Sequence, residues 1–160
     1  MLRLKTLVLA ALLAFGAAFA QGRLYGEALG GELALAPNFE LSLGVQAGAE
    51  EVLGPVGLRG GLSVLAGNNA TLLGFAVDAL YPLPLELAQN LKVDVGLGLG
   101  LTFASVGGAS STDFGIRGLI GLEVPVQGAL ALRLEPTFTY LFDAQQATFG
   151  IQFGPRVYLK

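Results

Sequence analysis

Lys92-Val-Asp-Val-Gly-Leu-Gly-Leu-Gly-Leu-Thr-Phe103 puts every polar or glycine residue on one parity and every apolar residue on the other. Such a period of two is the mark of a β-strand, whose successive side chains point to opposite faces. The open question is which parity faces inward. In a soluble barrel the leucines fill the core and Lys92, Asp94 and the glycines meet water. In a membrane barrel the arrangement is reversed. Resolving this orientation resolves the class of protein.

Composition favours the second arrangement. The 160-residue chain is one domain by length, 53% of it is hydrophobic, and mean hydropathy is +0.65. Charged residues make up 13%, about half the roughly 25% of ordinary soluble domains, too few to cover an aqueous surface with charge. The net charge of −3, with no basic block, gives no footprint for nucleic acid. The chain contains neither Cys nor His. Disulfides, Cys/His metal sites and Ser-His or Cys-His nucleophiles are thereby excluded. No cofactor or metal is expected.

The N-terminal segment MLRLKTLVLAALLAFGAAFA reads as a cleaved signal peptide over residues 1–20. Arg3 and Lys5 form its basic start and Leu7 to Phe15 its apolar centre. Ala18-Phe19-Ala20 is the small-residue cleavage site before Gln21. The domain proper is expected over residues 21–160. After Ala20 no apolar run approaches the ~20 residues of a spanning helix, so membrane crossing requires strands closed into a barrel.

Eight alternating segments follow, separated by turn signals. They are expected at Leu24 to Ala36, Phe39 to Ala49, Val56 to Ala66, Thr71 to Tyr81, Leu91 to Ala104, Thr112 to Val124, Ala129 to Phe142 and Thr148 to Lys160. Turns are expected at Pro37-Asn38, Glu50 to Pro55, Gly67 to Ala70, Pro82 to Asn90, Ser105 to Ser111, Pro125 to Gly128 and Asp143 to Ala147. Each segment is long enough for the 9–11 tilted residues that cross a bilayer. In the first, Glu27 and Glu32 lie on opposite parities, which a β-bulge at Gly30-Gly31 reconciles.

In the later segments the charges within each strand keep to one parity: Lys92 with Asp94, Asp113 with Arg117 and Glu123, Arg133 with Glu135. The opposite parity carries no charge. A surface of Gly, Ala, Ser and Thr with one or two charges per strand suits a narrow lumen better than water. An eight-stranded barrel is just wide enough for side chains to fill. The expected lumen network is Glu32, Glu40, Asp78, Asp94, Glu123 and Glu135 against Arg59, Lys92, Arg117, Arg133 and Arg156. Unpaired charge away from water is costly, so these groups should pair. Phe39, Phe103, Phe114, Phe142 and Phe149 fall beside the turns at one end, and Tyr81 at the other, as an interfacial aromatic girdle.

With these features the chain resembles the small eight-stranded outer-membrane β-barrels of the OmpA transmembrane-domain and OmpX type. The resemblance covers Leu24 to Lys160 and is one of architecture. It implies an all-β, antiparallel, up-and-down transmembrane barrel in the bacterial outer membrane, with outer-membrane lipid and the assembly machinery as partners. In that family the last strand alternates apolar residues and ends in an aromatic that the machinery reads. Here Phe149, Ile151, Phe153 and Val157 supply the alternation, the sequence ends in Lys160, and Tyr158 stands as the displaced aromatic.

Other motifs carry less. Gly96-Leu-Gly-Leu-Gly100 lacks the helix that follows a nucleotide-binding loop and reads as lumen-facing glycine. Glu50 and Glu51 read as a solvated corner, and Asn69-Ala-Thr71 as a chance sequon. Without His, a Ser-His lipid hydrolase or acyltransferase is excluded, and no enzymatic activity is expected. Three roles stay open on sequence: a structural or barrier protein with a plugged, ion-paired lumen; a narrow porin-like channel for water or small solutes; and a soluble periplasmic ligand-binding barrel.

Overall fold

A computed structural model describes residues 23–36, 40–67, 70–85 and 90–159. The signal segment with Ala18, Ala20 and Gln21 lies outside them, as do Pro37, Asn38, Phe39, Asn68 and Asn69. Eight strands run in chain order: β1 Leu24–Ala36, β2 Glu40–Leu53, β3 Val56–Gly67, β4 Ala70–Leu83, β5 Lys92–Val106, β6 Ala109–Gln127, β7 Leu130–Leu141 and β8 Gln146–Tyr158. Each pairs antiparallel with its neighbours in sequence, and β1 pairs with β8, so the sheet closes on itself. Closure leaves no edge, and every strand finds two partners for its backbone polar groups.

Parity is resolved by burial. On β5, Leu97 is 76% exposed and Leu99 53%, while Gly96 is buried. Leu43, Val45, Leu62, Phe75, Ile116, Leu132, Phe138 and Phe153 likewise stand outward and exposed. Arg59, Asp78, Glu123, Arg133 and Glu135 are almost wholly buried within the barrel. The exterior is therefore apolar and the interior charged. This is the inverse of a soluble barrel with an apolar core. Two leucines depart from the polar parity's chemistry: Leu80 and Leu119 face inward and fill the space over Gly96.

The register of β1 against β2 shifts between Gly30 and Glu32, which places the bulge where the parity conflict required it. Other boundaries differ from the sequence reading. β2 continues through Glu50 and Glu51 to Leu53 instead of turning at Glu50. Glu51 takes a left-handed φ of 57°, and the pairing with β3 shifts there, so the expected turn is an irregularity within a longer strand. The reversal itself is Gly54-Pro55, with Gly54 at φ 62°. β6 likewise runs past Pro125 to Gln127. Proline lacks the N–H that a ladder needs, and here the register shifts immediately after it, at a bulge where it is tolerated. The β5–β6 connection narrows to Gly107-Gly108, both at positive φ as a tight primed hairpin turn demands.

Candidate functional site

The lumen is crossed by a layer of ion pairs whose membership follows from register. Arg59 on β3 lies opposite Asp78 on β4, and Asp78 opposite Gly98 on β5, which in turn faces Arg117 on β6. A Cβ at Gly98 would overlap the Asp78 carboxylate, so glycine makes room for the acid. Glu27 on β1 faces Arg156 on β8 across the closing seam. Glu123 on β6 lies between Lys92 on β5 and Arg133 on β7. Strand alternation turns all of these side chains inward, and the barrel radius brings those from opposite walls into contact.

Arg59 lies at the centre. Its Nε and Nη2 donate to Asp78 Oδ2 at 3.1 and 2.7 Å, and its Nη1 and Nη2 donate to Glu135 at 2.7 Å each. A further bond from Nη1 reaches Glu27 Oε2 at 3.2 Å. Arg133 makes a bidentate pair with Asp94 at 2.5 and 2.6 Å and donates from Nε to Glu135 Oε2 at 2.8 Å. Arg156 bonds Glu27 and, at 2.6 Å, Glu123 Oε2. Three guanidinium groups thus share five carboxylates in one connected network. Moving these ions from water is expensive, and the cost is offset only when each charge is paired and hydrogen-bonded in this way.

Two aromatic residues complete the network at the end of the barrel that carries the termini. The Tyr158 hydroxyl lies 2.7 Å from both Glu50 Oε1 and Glu123 Oε1, to either of which it can donate. Tyr25 packs across Gly48 and stacks under the Arg156 guanidinium, 4.0 Å from its ring centre. The rings of Tyr25 and Tyr158 meet edge to face with centroids 6.0 Å apart. Tyr158, which on sequence stood as the displaced terminal aromatic, has its side chain buried inside. Glu50 is not a solvated corner: it receives the tyrosine hydroxyl at the rim.

The remaining residues of the expected network take varied positions. Lys92 is half exposed at the rim, 3.5 Å from Glu123 Oε1. It does not join Asp94 two residues along its own strand, whose carboxylate is taken by Arg133. Arg117 approaches Asp78 at 3.3 Å and Glu135 at 3.5 Å. Glu32 and Glu40 belong to β1 and β2, and their side chains lie outside the described ones. Glu27, Tyr25, Glu50 and Tyr158 are the contributors that sequence reading did not assign to the lumen. The bulge in β1 was the available signal for Glu27, because it sets the parity of the residues before it.

Two cavities flank the ion-paired layer. One of about 190 Å³ lies toward the end that holds the Gly107-Gly108 turn, the loop end, and is lined by Gln46, Ser63, Thr102, Arg117, Thr139 and Gln152 among others. The other, of about 210 Å³, lies toward the termini beside Tyr25, Glu50, Glu51, Lys92, Asp94 and Arg156. Among the described residues no group of three or more acidic side chains is arranged to hold a metal ion. On the outer surface, Phe103, Phe114, Phe142 and Phe149 are each 40–44% exposed beside the loop end. Phe114 stacks on Phe142, and Phe103 meets Phe75 edge to face, each pair with centroids 5.8 Å apart. Tyr81 is exposed near the opposite end.

No protein-family model matches the chain, and no curated protein matches it in sequence. Solved structures do match in fold. The N-terminal β-barrel domain of Pseudomonas aeruginosa OprF superposes with a TM-score of 0.69 at 14% identity, over 87% of this chain and 100% of that one. Neisserial surface protein A gives 0.64 at 17% identity, over 85% and 96%. A major outer membrane protein from Thermus thermophilus gives 0.63 at 14% identity, over 87% and 100%. The fold is thus that of the small outer-membrane β-barrels.

Proposed function

We propose that this chain is an integral protein of a bacterial outer membrane, a non-enzymatic barrel with a structural or barrier role whose lumen is plugged by its ion-paired layer. The observation that carries this reading is the inversion of the barrel: aliphatic and aromatic side chains outside, four arginines and five carboxylates within. An exposed apolar belt of this extent is unfavourable in water and is what hydrocarbon accepts. Residues 1–20 act as the export signal, cleaved after Ala20. The loop end, with its cluster of phenylalanines, stands at the outer interface, and the termini and Tyr81 at the inner one. Lipid and the assembly machinery are the partners of this reading.

The test is to fold the purified protein in detergent, follow the shift in gel migration on heating that reports a closed barrel, and record conductance in planar bilayers. A folded, electrically silent protein is the expected result. A protein released from membranes without detergent would overturn the membrane assignment.

A second reading, a narrow channel for water or small solutes, is favoured by the two cavities that approach the plug from opposite sides. Glu27 is contacted by Arg59, Arg133 and Arg156, so its pairings can be exchanged without leaving it uncompensated. Discrete, reproducible conductance steps that change in Arg59→Ala would establish this reading in place of the barrier.

A further inference from the structure

A third cavity, of about 340 Å³, lies on the outer wall of the barrel instead of in its lumen. It is bounded by Val56 on β3, Ala79 and Tyr81 on β4, and Val95 and Leu97 on β5, with Gly96 in its floor. Ala79, Tyr81, Val95 and Leu97 belong to the outward parity and are exposed. The Tyr81 hydroxyl is the one polar side-chain group among the described residues that line it. The hollow follows from register. Ala79 stands between Leu58 of β3 and Leu97 of β5, and its methyl group is too short to fill the gap between them. Leu97 leans the other way: one of its δ-methyls comes within 4.0 Å of where a Cβ on Gly118 of β6 would stand.

A concavity on this wall means something different in hydrocarbon than in water. No water is present at that depth to occupy it. Wall atoms that face a void forfeit their dispersion contacts, so the hollow favours whatever fits it. Lipid tails are as apolar as leucine, and a chain is therefore retained there by packing into a shape, not by hydrophobic transfer. Elsewhere the wall offers ridges: Leu43, Val45, Leu132 and Phe138 stand outward with more than half of their surface exposed. Tyr81 marks the terminus end of the hollow, where a ring with a polar tip suits the membrane–water boundary. From there the hollow runs toward Leu97, midway along β5, in the direction an acyl chain takes from its headgroup.

We infer that this hollow holds one acyl chain of an inner-leaflet phospholipid, with Tyr81 beside its headgroup end. The inference rests on the membrane placement proposed above and adds to it a retained lipid at one position on a wall that otherwise meets exchanging ones.

The test folds the full chain in detergent with one equivalent of a phosphatidylethanolamine and weighs it by native mass spectrometry. Wild type should retain one lipid. Ala79→Phe fills the hollow and should lower the retained fraction at least about fivefold. Ala47→Phe adds the same bulk at an exposed position of β2 outside the hollow, and should leave retention unchanged. Because the chain has no tryptophan, single tryptophans give a second readout that does not need Ala79→Phe to fold. A phospholipid brominated in its acyl chain should quench Val77→Trp, beside the hollow on β4, from the first equivalent, and Leu132→Trp on β7 only in proportion to the lipid added. Equal quenching at the two sites, equal retention by wild type and Ala79→Phe, or lipid-free dimers in place of a lipid-bound monomer would overturn the inference while leaving a detergent-requiring barrel in the membrane. Release of the protein from membranes without detergent would overturn both readings.

Discussion

Arg59 draws its carboxylate partners from β1, β4 and β7, so its removal takes one counter-charge from three buried acids at once. Arg59→Ala is expected to lower stability by about 3–5 kcal/mol, the cost of leaving buried charge uncompensated. Urea unfolding of the detergent-folded barrel measures it; an unchanged midpoint would mean that these groups meet water. At Gly121 a Cβ would overlap the Arg133 guanidinium, which Asp94 and Glu135 hold in place. Gly121→Ala should therefore cost about 1–3 kcal/mol, where a surface glycine replaced in the same way would not. Tyr158→Phe removes one donor from the Glu50 and Glu123 carboxylates and should cost about 1.5–3 kcal/mol in the same assay. At this scale the sequence showed that the charges of a later strand share a parity, because parity is a local property. It did not reveal who pairs with whom. Asp94 joins Arg133, 39 residues away, because Gly121 on the intervening strand, opposite Asp94, leaves room for the guanidinium to reach across. Glu50 was read as the start of a turn running to Pro55, whereas Glu51 takes a left-handed φ without ending the strand.

Along the elements, strand existence was legible from alternation and strand ends were not. Pro125 is a turn former in most settings and the Glu50-Glu51 pair was read as opening a turn, yet both lie within strands here. A partner strand on each side continues the ladder past them, and a bulge absorbs the misfit. Gly107-Gly108 is the converse, a turn that shrank to the two residues whose positive φ permits it. Gly108→Val should cost about 1–2 kcal/mol in unfolding free energy, whereas Gly107→Asn should be nearly neutral, since asparagine tolerates the left-handed region. Equal effects of the two substitutions would mean that the hairpin does not use this turn.

For the whole molecule, the decisive quantity is the solvent on the outside. Leu97, midway along β5, is the most exposed of the large apolar residues among those described. Leu97→Arg in a barrel folded into lipid vesicles should cost about 2–4 kcal/mol, as for a cation on the lipid face near the midplane. The same change on a water-facing surface would shift stability by no more than about 0.5 kcal/mol. Closure between the first and last strands has a consequence for how such a barrel is made. Arg156 on β8 reaches Glu27 on β1 across 129 residues of sequence, so this pair forms only after the final strand is in place. Until that moment the unfinished sheet holds Glu27 and Glu123 without Arg156, one counter-charge short, and hydrocarbon penalises an under-compensated acid. An incomplete chain would therefore carry a penalty for insertion into lipid that completing the circle removes.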